Sequence, residues 1–443
     1  MMKTNEPYRS IATLGNRTGN LFVQAALICA MGWSVACTSL SGPQSKFEST
    51  AARPNIVFIF ADDWGYGDLG IHGSTFCKTP RIDRLAEQGT DFQNFTVSHP
   101  VCSPSRTAVM TGQFPARHSV HRHFSNIKSH QESAMPDWLD PQAPLLSRML
   151  KDAGYATGHF GKWHLSSDLI PDAPEPTEYG FDEYGAFKTP GGPDAQMKTA
   201  STAPRAADFI RRNQDQPFFV NVWLHEPHTP HYPQEKYLEQ FETLEEQQQV
   251  YAAVIAEADA GVGLILDTLA DCGLDENTLV VFSSDNGPES TGRSRHLNDA
   301  ARGPGLGTFF SVGETGGLKG RKRSLYAGGV RTPFIAKWPG VIPAGRVDRE
   351  SVVSALQGEP FDRAQPIFWE WKPAKDSAYT WPHQGVRSGP WKLLLNESLG
   401  RAELYDMEND WAQGADLSAD HPLIVEQLTE KIHTWKQTLP SAP

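Results

Sequence analysis

The sequence predicts an α/β fold in which a large, mostly parallel or mixed sheet is sandwiched by helices, with a smaller C-terminal α+β domain. Continuous apolar, β-rich runs, typical of strands buried on both faces, occur at 55–60, 218–224 and 278–282. Helical patterns alternate with these runs, at 81–88, 145–153 and 251–269. After about Pro343 the pattern changes to short antiparallel strands at 366–371, 391–395 and 403–407, and then to a closing helix at 421–439.

The size and composition fit this architecture. A chain of 443 residues, 39% hydrophobic, with 12 Trp and 22 Phe, can bury one large core and a second, smaller one. The net charge of −12 argues against broad nucleic-acid binding, which needs a basic face. An anionic substrate stays possible, because cations such as the run 321–323 can be concentrated in a cleft.

The N-terminus predicts export. Residues 1–36 carry three basic residues followed by an apolar stretch that is short for a membrane span, as in an export signal; an uncleaved anchor is the alternative. The end of the stretch, 34–37, resembles a bacterial lipoprotein box, so cleavage before Cys37 with lipidation competes with ordinary cleavage near Ala36. Both place the mature protein outside the cytoplasm, as a periplasmic, outer-membrane lipoprotein or secreted protein.

A polar segment and two domains are expected to follow the export signal. Residues 37–53 have the composition of a linker, 54–345 are expected to form the catalytic α/β domain, and 346–443 the small C-terminal domain. Five cysteines do not make a disulfide scaffold at this length. Whether Cys77 and Cys272 pair is left open.

Two polar pairs follow apolar runs and could share one cation. Asp62 and Asp63 follow the first run, and Asp285 and Asn286 follow the run at 278–282. Each pair alone would usually be a turn or a helix cap. In a parallel sheet, however, both pairs lie at the carboxyl edge, where ligands collect. Three carboxylates and one amide oxygen suit Ca²⁺ or Mg²⁺ better than zinc.

Basic side chains and imidazoles form three further candidate groups. Lys162 and His164 flank Trp163, so in an extended segment both polar side chains share one face while the indole packs inward. In the segment 225–231 three His are interrupted by prolines, which exclude the helical spacing of a zinc-binding pair. The third group is the basic segment that begins at Lys319, which by itself is usually a solvated face.

A further motif, Cys102-x-Pro104-x-Arg106 followed by Thr111-Gly112, connects these groups to one function. Together with the ordered set above, it resembles the maturation signature of the type I sulfatases of the alkaline phosphatase-like superfamily, and the resemblance runs from about 54 to 439. It implies that a formylglycine-generating enzyme oxidises Cys102 to formylglycine. It also implies one Ca²⁺, with its ligands at Asp62, Asp63, residue 102, Asp285 and Asn286.

The resemblance also implies a role for each remaining group. Arg106 would hold the aldehyde hydrate, while Lys162 and Lys322 would bind the sulfate. His228 would protonate the leaving alcohol, with His225 as the second candidate for that position, and His164 would remove a proton so that sulfate can leave. Asp285 could also assist deprotonation of the attacking hydroxyl.

Two departures from the family pattern stand out. The family commonly has Glu where this chain has Ala327, which weakens local support in that segment. The helix that usually joins the two domains is missing, because the run at 351–356 leads directly into 357–360. This shortened junction puts domain docking in doubt.

The expected function is hydrolysis of sulfate monoesters, on a sulfated carbohydrate, by an enzyme nearest to exo-acting sulfatases of the arylsulfatase A and N-acetylgalactosamine-6-sulfatase kind. The alternatives are a phosphoester or phosphonate ester hydrolase of the same superfamily, and a catalytically silent glycan-binding homologue. The segment 117–123 is rich in His and Arg. His121 and His123 in it are expected to orient a sugar, or else to belong to an ordinary surface loop.

Overall fold

The computed structural model describes residues 53–187, 199–289, 311–347, 365–373 and 381–440. The predicted export signal, the linker as far as residue 52 and the shortened junction at 351–360 lie outside these ranges. The described residues belong to one compact unit. No helix among them is long and apolar enough to cross a membrane.

The strands and helices follow one another in chain order. The strands are β1 (Asn55–Asp62), β2 (Thr90–Phe92), β3 (Ala156–Lys162), β4 (Glu183–Phe187), β5 (Phe218–Pro227), β6 (Thr278–Ser284), β7 (Phe334–Lys337), β8 (Gly345–Val347), β9 (Ile367–Glu370), β10 (Gln384–Ser388), β11 (Trp391–Asn396) and β12 (Arg401–Asp406). The helices are α1 (Pro80–Gln88), α2 (Cys102–Thr111), α3 (Ile127–Glu132), α4 (Leu146–Asp152), α5 (Thr199–Arg212), α6 (Glu235–Leu238), α7 (Glu246–Asp271), α8 (Ala327–Val330) and α9 (Pro422–Gln437).

Within the described ranges, eight strands form one mixed sheet in the order β4-β3-β5-β1-β6-β7-β2-β8. Its centre is parallel: β1 lies between β5 and β6, with Val57 opposite both Val220 and Val280, and β3 extends the parallel part beyond β5. The strand β7 is antiparallel to β6. The ends of β1, β3, β5 and β6 therefore lie at the same edge of the sheet.

The central strand is buried on both faces. Successive side chains of a strand point to opposite faces, so Val57, Ile59 and Ala61 enter one apolar layer while Phe60 enters the other. The first layer includes buried residues of α5 and α7, and the second contains Trp163 and Trp223. Burial of this strand among apolar side chains on both faces fixes the position at which its polar end emerges.

A second, four-stranded antiparallel sheet has the order β12-β11-β10-β9, and α9 packs on it. It contacts the first part of the chain through an apolar cluster in which Val97 and Val101 meet Trp369 and Leu394. The Trp369 indole donates a hydrogen bond to the Val97 carbonyl at 2.8 Å. The strand β9 thus ends close to the segment that leads into Cys102.

The structure confirms the predicted fold class: a large sheet between helices, followed by a smaller antiparallel sheet. The exact boundary between the predicted domains stays a prediction. Sequence patterns missed several elements, among them β2, β4, α5 and β10, and β5 continues past Leu224 as far as Pro227. Cys77 and Cys272 are both free.

Candidate active site

Four strand ends deliver polar side chains to one point. Asp62 ends β1, Lys162 ends β3, His225 lies near the end of β5, and Asp285 follows β6. Because these strands are parallel neighbours, the side chains meet beyond the carboxyl edge of the sheet. The structure brings the sequence-predicted groups together at this edge.

Asp62 is fully buried among cations. Its Oδ2 accepts a hydrogen bond from Lys162 Nζ, and its Oδ1 lies 3.7 Å from Arg106 Nη2. His225 Nδ1 lies 3.8 Å from the same Oδ2. Burial by itself raises the pKa of Asp62, but the Lys162 ammonium and the other neighbouring bases hold this pKa well below its usual range. Asp62 is therefore a carboxylate, although no water reaches it.

Asp63 lies in the left-handed region, at φ 65°, which non-glycine residues rarely adopt and which is common at functional sites. Lys322 Nζ donates to Asp63 Oδ2 at 2.6 Å, and the Asn286 amide donates to Oδ1 at 2.7 Å. His228 Nε2 lies 3.7 Å from Oδ2. Asp63 thus joins the chain after β6 to the basic segment around Lys322.

Cys102 is the first residue of α2 and is buried. Burial, followed by the negative charge of Asp62, raises the pKa of its thiol far above the ordinary value, although Lys162 and Lys322 oppose this. An unmodified thiol here stays protonated and is a poor nucleophile and a poor metal ligand. The position suits a residue whose reactive atom is not a thiolate.

Arg106 lies one helical turn after Cys102, and its side chain is buried. Its Nη2 donates to Asp285 Oδ2 at 2.7 Å, and its guanidinium carbon lies 4.9 Å from the Trp223 ring centroid and 5.4 Å from that of Phe60. Its Nε and Nη1 have no hydrogen-bond partner among the described residues. The aromatic faces therefore supply the attraction that hydrogen bonds do not.

Asp285 and Asn286 complete the set of oxygen atoms. Burial, followed by the charge of Asp62, raises the pKa of Asp285 to about 7 in spite of Arg106. Asp285 Oδ1 accepts the Asp63 backbone N–H at 3.1 Å. Within the described part of the chain, neither Asn286 Oδ1 nor Asp62 Oδ1 accepts a hydrogen bond, although both are buried.

These oxygen atoms fit a metal ion. Ligand atoms of Asp62, Asp63, Cys102 and His228 lie within 4.8 Å of one another. Two buried oxygens without a donor, beside closely spaced carboxylates, are costly unless a cation satisfies them. Asp285 and Asn286, which both contact Asp63, add further oxygen atoms at this place, so a hard cation such as Ca²⁺ fits it better than zinc.

His164 and His228 have different free ring nitrogens. His164, with φ 52°, donates through Nε2 to the Phe124 carbonyl at 3.2 Å, so Nδ1 keeps its lone pair. His228 donates through Nδ1 to the Thr229 carbonyl at 2.5 Å, which leaves Nε2 facing Asp63. Burial, followed by the Lys322 ammonium, lowers the pKa of His228. His225 lies beside it, with ring centroids 5.2 Å apart.

The two histidines that were expected to orient a sugar at the rim of the site, His121 and His123, differ in exposure. His123 is exposed, and its ring centroid lies 6.1 Å from that of His164, at the mouth of the site. His121 is only 5% exposed. Its Nδ1 lies 3.4 Å from Glu370 Oε2 and its Nε2 lies 3.1 Å from Lys372 Nζ, so both ring nitrogens already have neighbours from the second sheet.

Several residues of the site were missed by the sequence analysis. Glu289 contacts Lys322 Nζ at 3.4 Å, and its place just after Asn286-Gly287-Pro288, with a basic run elsewhere in the chain, could have indicated the pairing. Glu370 and Lys372 carry no local signal, because only the contact between the two sheets brings them to His121. From the sequence alone, Trp223 is indistinguishable from an ordinary core residue.

Comparisons with known proteins agree with this geometry. A family model described as Sulfatase matches residues 54–357. N-acetylgalactosamine-6-sulfatase of Canis lupus familiaris is 32% identical over 367 residues, and the match covers 74% of this chain and 65% of that protein. The chain therefore spans slightly less than two thirds of the length of this relative.

Two further similarities concern a more distant relative and the fold. Arylsulfatase A of Homo sapiens is 29% identical over 409 residues, covering 78% of this chain and 75% of the relative. The crystal structure of Ps i-CgsB superposes with a TM-score of 0.70 at 25% identity, covering 86% of this chain and 92% of that one.

The aromatic floor, the rings of Phe60 and Trp223 that contact the Arg106 guanidinium, adjoins a buried histidine that should make the stability of the protein depend on pH. His159 on β3 is fully buried, its centroid 4.9 Å from those of Trp163 and Trp223, and neither ring nitrogen has a hydrogen-bond partner among the described residues. Burial, with the Arg106 guanidinium, lowers its pKa to about 3, whereas an unfolded histidine titrates near pH 6.5. The stability from keeping it neutral is present above pH 6.5 and is lost as pH falls toward 3.

We expect His159→Phe to remove this loss, because a phenyl ring of similar shape carries no titratable group. The free energy of unfolding in urea, measured between pH 7 and 4, should fall less steeply with pH in the variant than in the wild type. Parallel pH profiles for the two proteins would contradict the assignment.

Proposed function

The chain belongs to the sulfatase family, and on this basis we propose that it hydrolyses sulfate monoesters with a formylglycine made from Cys102 and one bound Ca²⁺. The observation that carries the proposal is the position of Cys102. It begins a helix among three buried carboxylates and lies close to Lys162 and Lys322, as the charges that act on its thiol indicate. This is a pocket for an anion beside a cation site.

Formylglycine and Ca²⁺ both fit the residues present. The raised thiol pKa argues that an unmodified Cys102 would do little chemistry at neutral pH. The hydrated aldehyde supplies an oxygen nucleophile with a second hydroxyl, so that sulfate can be released by C–O cleavage instead of a second attack at sulfur. The side chains of Asp62, Asp63, Asp285 and Asn286, together with residue 102, would hold the Ca²⁺.

The chain's own cations would bind the sulfate group. Transfer of a sulfuryl group, like that of a phosphoryl group, spreads charge over equatorial oxygens, so positioning and charge neutralisation dominate catalysis. Lys162 donates to Asp62, and Lys322 donates to the adjacent Asp63. Arg106, fixed by Asp285 and the aromatic floor, would orient residue 102.

The two histidines would move the protons. His228 presents Nε2 to the site, because Nδ1 donates to the Thr229 carbonyl. In the imidazolium form, which the negative charges of Asp62 and of a bound sulfate favour, Nε2–H would give a proton to the leaving alcohol. His225, beside it, is the second candidate for this contact. His164 has its lone pair on Nδ1, because Nε2 donates to Phe124, and would accept the proton whose removal releases sulfate. Asp285, a carboxylate whose charge acts on residue 102, could take a proton from the attacking hydroxyl.

A sulfated carbohydrate is the proposed substrate class. The N-acetylgalactosamine-6-sulfatase relative is named for a sulfated sugar. Exposed His123 at the mouth, and the Lys372 ammonium that contacts buried His121, offer donors for hydroxyl groups or for a second anion. We further propose that the chain is exported, with Cys37 as a possible lipid-attachment residue, and that a formylglycine-generating enzyme modifies Cys102.

Relative turnover tests the reaction class. We expect protein purified from its native host to hydrolyse an aryl sulfate at least about tenfold faster, in kcat/KM, than an aryl phosphodiester, because a tenfold preference needs only about 1.4 kcal/mol of differential transition-state stabilisation. Cys102→Ala is the control and should lose this turnover. Faster cleavage of the phosphodiester would favour the phosphoester or phosphonate ester hydrolase. Binding of sulfated glycan without any sulfate release would favour a silent homologue.

A second comparison tests the proposed rim. His123→Ala should raise KM for a sulfated oligosaccharide by about tenfold, the effect of losing one or two hydrogen bonds. His121→Ala should raise the same KM indirectly, because the buried His121 ring contacts the Lys372 ammonium. A small aryl sulfate does not reach the rim, so its KM should stay within about twofold in the same variants. Equal losses on both substrates would show that these histidines support the catalytic groups and do not bind a sugar.

A further inference from the structure

Glu289 is a buried carboxylate with no assigned role, placed against two cations of the site. It is 6% exposed and follows the metal-site residues by only three positions. Its Oε2 lies 3.4 Å from Lys322 Nζ, and its Oε1 accepts a hydrogen bond from Arg323 Nη1. A buried carboxylate so close to a substrate-binding lysine can influence where that ammonium lies.

The Lys322 ammonium is shared between two carboxylates. It lies 2.6 Å from Asp63 Oδ2, which the proposed Ca²⁺ also needs, and 3.4 Å from Glu289 Oε2. A divalent cation and an ammonium on the same carboxylate oxygen repel each other strongly in a buried site. When Asp63 binds the metal, the Lys322 ammonium therefore needs a second anion beside it. Without one, the unpaired ammonium would turn away from the buried site.

The backbone around Lys322 is fixed, so the side chain has to make this adjustment. Lys322 N–H donates to the Pro288 carbonyl at 3.2 Å, and Arg323 N–H donates to the Pro100 carbonyl at 2.9 Å. Arg323 also has φ 68°, a conformation that the surrounding contacts must maintain. The ammonium can move between its two carboxylates by side-chain rotation, while the chain stays tied to the segments before Glu289 and Cys102.

We propose that Glu289 is a positioning residue that receives the Lys322 ammonium when Asp63 binds the cation, and so keeps Lys322 directed at the sulfate. The inference rests on the proposed function, because it assumes the Ca²⁺ site at Asp63. Glu289 acts through Lys322 and touches neither substrate nor reacting atoms. Its bond to Arg323 holds the carboxylate in place.

A double-mutant cycle read out by Ca²⁺ binding tests this inference. The wild type, Glu289→Gln, Lys322→Met and the double variant are treated with chelator, and the melting temperature is then followed during Ca²⁺ titration. We expect Glu289→Gln to raise the half-saturating Ca²⁺ concentration by about tenfold, because Lys322 then stays on Asp63. In the Lys322→Met background the same change should cost less than about threefold, because no ammonium competes.

The control is Glu397→Gln, which makes the same isosteric, charge-neutralising change at an exposed site paired with His433, and should leave the Ca²⁺ titration unchanged. A tenfold loss in both backgrounds would show that Glu289 acts only through its charge and would overturn the inference. So would an unchanged titration in Glu289→Gln. Absence of any Ca²⁺ stabilisation in the wild type would overturn the proposed Ca²⁺ site as well, which distinguishes the two failures.

Discussion

The whole site depends on keeping three carboxylates charged, or ready to be charged, where water cannot reach them. Asp62, Asp63 and Asp285 are at most 1% exposed, and burying such groups without partners costs several kcal/mol each. The partners come from distant parts of the chain: Lys162 from β3, Arg106 from α2, and Lys322 from the basic segment. The central parallel strands bring these charged side chains within a few ångströms of one another, and this is their contribution to the site.

The described side chains of the protein do not stabilise all of the buried oxygen atoms of the site, and the oxygens without a partner lie close together. Buried oxygens of Asp62 and Asn286 accept no hydrogen bond within the described residues, and the pKa of Asp285 is raised to about 7. A hard divalent cation would satisfy these oxygens and restore the carboxylate of Asp285, since a positive charge favours the ionised form. Left-handed backbone at Asp63, His164 and Arg323 indicates that the fold maintains unfavourable conformations at the same place.

The sequence was sufficient for the centre of the fold and for the groups that adjoin strands. The apolar run at 55–60 predicts β1, and the position of Asp62 and Asp63 follows from where that run ends. The short strand β2, between β7 and β8, and the edge strand β4 carry too few residues for a period-two pattern, so they were missed. Contacts such as His121 with Glu370, or Glu289 with Lys322, depend on how distant segments pack, and no local pattern encodes them. The sequence also treated His121 and His123 alike, whereas packing against the second sheet buries only His121.

The central claim is that this charged pocket serves a residue 102 that is no longer a cysteine. Mass spectrometry of the tryptic peptide Leu85–Arg106, from protein made in its native host, tests it most directly. The account predicts the mass of an aldehyde or its hydrate at residue 102, because the buried thiol is a poor nucleophile in this environment. An intact thiol in protein that still releases sulfate would contradict the account, since the reaction would then proceed without the proposed modification.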